Sequence, residues 1–144
     1  MPIPPFRQDG WLPVGHHASS WGEVLSYFGG QPNSRRARLT AELIGLRDAL
    51  LAVGITGTIL LDGSYISEKQ EPADFDILLI GPDDIQIRKD LEPNLGDLLD
   101  VGIAEARGYS LLYTAENSPA RDLLSTLWDF TRGGTAKGIV KLTL

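Results

Sequence analysis

Two short segments of this chain are apolar almost without interruption. Ile55 to Asp62 reads I-T-G-T-I-L-L-D, and Phe75 to Ile80 reads F-D-I-L-L-I. A strand with one wet face alternates apolar and polar residues. A strand covered on both faces does not, so these runs predict strands covered on both faces or nearly so. Such a sheet needs helices to cover it, and the sequence supplies them. Leu39, Leu43, Leu46, Leu50 and Val53 recur at helical spacing, which predicts a helix over about 34–53, with Asn33 or Ser34 as its cap and Gly54 at its end.

The remaining elements follow from local signals. Ser19 and Ser20 precede Trp21 and Glu23, which predicts a short helix over about 20–28. Residues 83–106 are helical in outline, weakened by Pro93, Gly96 and Gly102. Tyr109 to Thr114 is expected as a third strand. Ser118-Pro119 opens another helix, reaching about Thr131, with Leu123, Leu124, Leu127, Trp128 and Phe130 inward. Lys137 to Leu144 is the last strand. The expected fold is α/β (α+β): one small mixed β-sheet flanked by helices. Residues 1–33, rich in proline and glycine, are expected as an extended N-terminal arm with a short helix, packed on a core domain over 34–144. The 16 glycines and 9 prolines of the 144 residues fit short elements and many turns.

Charge and composition narrow the function. The formal net charge is −6, which argues against general DNA binding, since phosphate contact needs a basic face. There is no cysteine. Disulfides, a thiol nucleophile and thiolate metal sites are therefore excluded, and a reducing cytoplasmic setting is expected. No apolar run approaches the roughly 20 residues of a membrane helix. Met1 to Gln8 has three prolines, one arginine and no apolar core, unlike a secretory signal.

The stretch richest in chemistry is Asp62 to Ile80. A strand ends in Gly63-Ser64, and after nine residues the chain reaches Asp74 and Asp76. Carboxylates at i and i+2 on a strand share a face. Their repulsion calls for a cation, and oxygen donors suit Mg²⁺. A Gly-Ser turn beside them can offer N–H groups and a hydroxyl to a phosphate. Spacing by itself also fits an ordinary turn and a solvated acidic pair.

The pattern G-S-x9-D-x-D between two strands resembles the nucleotidyltransferase superfamily of DNA polymerase β and the minimal nucleotidyltransferases. The chain is more similar to a family of small bacterial nucleotidyltransferase-like proteins of uncharacterised function. That likeness runs through Gly10-Trp11-Leu12-Pro13 with Gly15 and His17, Trp21-Gly22-Glu23-Val24 and Phe28-Gly29. It continues through Arg35 or Arg36, Asp62-Gly63-Ser64-Tyr65, Glu71-Pro72 with Asp74-Phe75-Asp76, and Lys137-Gly138-Ile139-Val140. The resemblance implies a nucleotidyltransferase-like fold. It implies Asp74 and Asp76 as catalytic ligands of two Mg²⁺ ions, and Gly63 and Ser64 as the grip on a nucleoside triphosphate. The reaction implied is transfer of a nucleotidyl group to a hydroxyl of a protein or RNA.

The superfamily places a third carboxylate on the following strand, where this chain has Ser110. Serine is a poor base at neutral pH. That departure opens an alternative: a catalytically reduced fold acting as a binding partner in a toxin–antitoxin or defence system. Glu68 or Glu71 could be recruited instead, while Asp100 and Glu105 read as surface charges. Lys69 can reach a phosphate or lie solvated. Arg35, Arg36 and Arg38 oppose the dipole of the helix they open; they are either a solvated face near Glu42 or a site for an anionic partner. His16-His17 is either an acid/base or metal pair, or His17 pins the arm. Lys137-Gly138 reads as a turn into the last strand.

Overall fold

The computed structural model describes residues 3–127 and 134–144. Strand β1 is Gly15–Ala18, followed by α1 (Trp21–Phe28) and α2 (Arg35–Ala52). Next come β2 (Thr58–Asp62), a single 3₁₀ turn at Ser64–Ile66, and β3 (Asp76–Gly81). Helices α3 (Ile85–Leu91), α4 (Pro93–Leu98) and α5 (Val101–Arg107) lead to β4 (Ser110–Ala115). Helix α6 (Ala120–Leu127) and β5 (Gly138–Thr143) complete the order. The architecture is the expected mixed α/β one. Five strands lie in the order β1-β5-β2-β3-β4. The pairs β1/β5 and β3/β4 are parallel, whereas β5/β2 and β2/β3 are antiparallel.

The apolar runs behave as their composition dictates. Ile59, Leu60 and Leu61 of β2 and Ile77 to Ile80 of β3 are all buried, because both strands are central. Helix α2 buries Leu39, Leu43, Leu46 and Leu50, one face at helical spacing. Ser34 caps it by accepting from the Ala37 N–H at 3.1 Å. Ser20 and Glu23 form a reciprocal capping box on α1. The long helical outline over 83–106 divides into three helices. Pro93 starts α4 at a position where its missing N–H does no harm, and Asp100 caps α5 through the Ile103 N–H at 2.9 Å.

The arm departs from expectation. It contributes β1, which pairs in parallel with β5 through Gly15↔Gly138 and Ala18↔Lys141. Of the residues expected inward on α6, Leu124 packs against the core. The side chains of Leu123, Leu127, Trp128 and Phe130, and the helix beyond Leu127, lie outside the described residues. No helix among the described residues is long and apolar enough to cross a membrane.

Candidate functional site at one end of the sheet

Strand registers bring the chemistry together. Asp62, the last residue of β2, stands opposite Asp76, the first of β3. Asp76 in turn stands beside Ser110, the first of β4. Lys137 immediately precedes β5, so all four reach the same end of the sheet. Asp74 lies just before β3 rather than within it. It is nonetheless near enough to raise the pKa of Asp76.

The apolar neighbours of the polar residues anchor the site. Tyr65 and Phe75 are fully buried, with ring centroids 6.0 Å apart, and Phe75 stacks on Tyr109 at 4.8 Å. Each motif therefore alternates an inward ring with an outward polar group: Phe75 between Asp74 and Asp76, Tyr65 after Ser64. The turn must be glycine at 63. Its φ is +90°, and a Cβ there would come within 3.1–3.2 Å of the backbone of Asp74, Phe75 and Asp76. The Gly-Ser turn is thus seated directly on the D-x-D segment. Ser64 Oγ accepts from the Ala73 N–H at 3.0 Å, and the Tyr65 N–H donates to the Asp74 carbonyl at 3.2 Å.

Two of the three arginines at the start of α2 are engaged by backbone carbonyls, while Arg38 is exposed. The Arg36 guanidinium donates to the carbonyls of Tyr65 and Ser67, each at 2.6 Å, of Lys69 at 3.0 Å and of Phe28 at 3.3 Å. Arg35 donates to the Pro72 carbonyl and to the Ala73 carbonyl at 2.8 Å. Together they clamp the loop between the two motifs. The unfavourable placement against the helix dipole is offset by these charge-assisted bonds.

Charge is concentrated at the sheet end. Asp62 and Lys137 are 5% and 4% exposed and form a buried ion pair, with the ammonium 5.2 Å above the Trp11 ring. Burial pushes the Asp76 carboxyl up to about 6, with Asp74 and Asp62 adding to the effect. A hydrogen bond from Ser110 and the charge of Lys137 oppose it. The folded carboxyl therefore binds a proton more tightly than the unfolded one, whose value is near 3.8. Stability from this group falls as pH rises from about 4 to about 6. Without divalent cations, Asp76→Asn should accordingly raise the unfolding free energy at pH 7 by about 1–3 kcal/mol. The gain should vanish below about pH 4. Chemical denaturation of both proteins across pH 4–8 checks this, and a gain independent of pH would contradict it.

The structure gathers Gly63, Ser64, Asp74 and Asp76 as expected. Lys69 is different: it is exposed on the clamped loop, and its ammonium makes no ion pair among the described residues. Glu68 and Glu71 line a groove with Arg35, Arg36 and Arg38. Asp100 is a helix cap, and Glu105 is exposed on α5. His17 pins the arm, its Nε2 lying 2.6 Å from the Pro13 carbonyl oxygen. Gly138 is not in a turn but opens β5, where a Cβ would strike the Pro13 carbonyl at 2.0 Å. The sequence reading missed the role of Lys137 and of Asp62. The only signal for them was a lysine next to a glycine before a strand, and an acid at the end of one.

Mg²⁺ is commonly held by one or two carboxylates completed by water and phosphate oxygens. Asp74 and Asp76 have that donor chemistry. Among the described residues, no group of three or more His, Asp or Glu side chains is arranged to hold a metal by itself.

No curated protein and no solved structure matches the chain. A family described as a family of unknown function, DUF6932, matches residues 4–143. Spanning nearly the whole chain, that match shows that this protein belongs to the DUF6932 family.

Proposed function

We propose that this protein is nucleotidyltransferase-like and binds a Mg²⁺-chelated nucleoside triphosphate at the sheet end formed by β2, β3 and β4. In this reading it transfers a nucleotidyl group to a hydroxyl of a protein or RNA. The observation that carries it is the seating of the Gly63-Ser64 turn on the Asp74–Asp76 backbone, with Asp62 opposite Asp76 in register. Asp74 and Asp76 would hold the metal, Gly63 and Ser64 would receive the phosphates, and Arg36 would keep the intervening loop in shape. When bound, the metal supplies charge neutralisation at the phosphate oxygens. The absence of cysteine supports a cytoplasmic setting.

Ser110 favours a second reading. It stands beside Asp76 where the superfamily has an acid, and its hydroxyl donates to the carboxylate instead of accepting a proton. The fold would then bind nucleotide without turnover and serve as a partner in a toxin–antitoxin or defence system.

Thermal unfolding with each of the four nucleoside triphosphates, with and without Mg²⁺, tests the shared core of both readings. Ligand at 100 times its dissociation constant adds about 2.7 kcal/mol, or about 5–10 °C for a chain of this size. The shift should require Mg²⁺ and vanish in Asp74→Ala/Asp76→Ala. No shift with any triphosphate would defeat both. Transfer of an α-phosphate label to a protein or RNA acceptor by the wild type supports the enzyme. Transfer gained only in Ser110→Asp supports the reduced site.

A further inference from the structure

We infer that the cleft between the start of α2 and the end of α5 is a docking site for an acidic segment of a partner protein. The guanidiniums of Arg38 and Arg107 receive its carboxylates. The inference goes beyond the triphosphate reading and does not depend on it. Of the acceptors and partners that reading leaves open, it selects a protein.

Uncompensated charge is the first argument. Arg7, Arg47, Arg88 and Arg121 are held in ion pairs, and Arg35 and Arg36 in bonds to carbonyls. Arg38 and Arg107 are exposed and form no ion pair or side-chain hydrogen bond among the described residues. Both line one cleft of about 410 Å³, together with Arg35, Ala73 and Gly108. Glu42 stands on the same wall but pairs with neither among the described residues. The cleft is therefore positive in a chain whose formal charge is −6. Arg38 sits in the first turn of α2, where the helix dipole disfavours a cation, and it gains no internal bond in return. Arg107, in the last turn of α5, is favoured by the dipole there but is likewise unpaired. Ser34 already caps α2, so the anion-binding groups are the guanidiniums and not the helix N–H groups.

Position is the second argument. Two residues of the cleft wall, Ala73 and Gly108, directly precede Asp74 and Tyr109. A segment held there lies beside the sheet end. The chemistry of the wall then selects the occupant. Single-stranded RNA is held by stacking on exposed rings and by a basic groove that follows its backbone. Among the described residues no aromatic side chain lines this cleft, and Tyr109 beside it is buried. The charge of the whole chain also repels a polyanion. Carboxylates, by contrast, match the planar fork of arginine. Leu39 and Ala41 give the wall an apolar part, which suits aliphatic residues between the acids of a peptide.

Fluorescence anisotropy with a labelled peptide of alternating aspartate and leucine tests this, at low salt and without nucleotide or metal. Wild type is expected to bind the peptide, less tightly as NaCl is added, and to prefer it to the matching asparagine–leucine peptide. Two exposed charge pairs together are worth roughly tenfold in affinity. Arg38→Gln/Arg107→Gln should therefore bind about tenfold more weakly, with its thermal midpoint unchanged. Arg38→Lys/Arg107→Lys, which keeps the charge, should lose less. Arg88→Gln/Lys141→Gln removes the same charge elsewhere and should bind within about twofold of wild type. No binding by wild type at millimolar peptide, or an equal loss in the two glutamine pairs, would overturn the inference. So would tighter binding of decauridylate that is lost in Arg38→Gln/Arg107→Gln, since the cleft would then serve RNA. An unfolded Arg38→Gln/Arg107→Gln would overturn it too, by making these arginines structural. The two proposals fail separately. Peptide binding in a chain that shows no thermal shift with any triphosphate keeps this inference and sinks the triphosphate reading. A Mg²⁺-dependent shift in a chain that ignores the peptide does the reverse.

Discussion

Lys137→Met, measured without metal, is expected to lower the free energy of unfolding by about 3–5 kcal/mol. The variant removes the ammonium from a carboxylate only 5% exposed, in a neighbourhood that already holds Asp74 and Asp76. Breaking one side of a buried pair is costly because the other charge loses its compensation. Removing both charges is much less so. Lys137→Met/Asp62→Asn should therefore recover at least half of the loss. Equilibrium denaturation in guanidinium chloride measures both, with the slope checked for two-state behaviour. A single-variant loss below about 1 kcal/mol would mean that the pair is wet and weak, as surface pairs are.

The second large effect is expected at Arg36. Its guanidinium satisfies four backbone carbonyls, those of Phe28, Tyr65, Ser67 and Lys69, and lies 5.6 Å from the Tyr65 ring centroid. Hydrogen bonds from charged donors contribute about 1.5–3 kcal/mol each, and those sharing one side chain do not add. Arg36→Ala should cost about 3–5 kcal/mol in total. Arg36→Lys keeps the charge but loses the planar fork, so it should recover less than half of that. Arg38→Ala, on the exposed side of the same turn, should change stability by under about 0.5 kcal/mol. Hydrogen exchange gives a local signature. The N–H groups of Tyr65, Ile66, Ser67 and Glu68 should lose protection in Arg36→Ala before the strands do. Uniform loss across the sheet would mean that Arg36 supports the whole fold and has no special hold on the loop.

Several of the chain's basic side chains are engaged internally. Arg35 and Arg36 face inward to carbonyls, and Lys137 faces a carboxylate. Three of the chain's 13 basic residues thus bond to groups around the sheet end, Arg35 while remaining exposed.

Much of the fold was legible in the sequence because it follows from short-range periodicity. The leucine face of α2, the uninterrupted apolar runs of β2 and β3, the serine caps and the break at Pro93 each need only a few neighbouring residues. The candidate site was legible to the same degree. Asp74 and Asp76 sit either side of an inward Phe75, and Gly63-Ser64 leaves a strand, so their shared placement is local chemistry. Strand β1 was not legible. Its four residues pair with β5 more than 120 positions away, and an edge strand with an exposed and a half-buried histidine carries no pattern of its own. The Lys137–Asp62 pair was hidden for the same reason, since it depends on how β5 registers against β2. The arginine clamp was hidden because backbone carbonyls have no sequence signature. Local sequence determines which residues face inward and where elements begin. Which charge meets which carboxylate is decided by strand register, and register is a property of the assembled sheet.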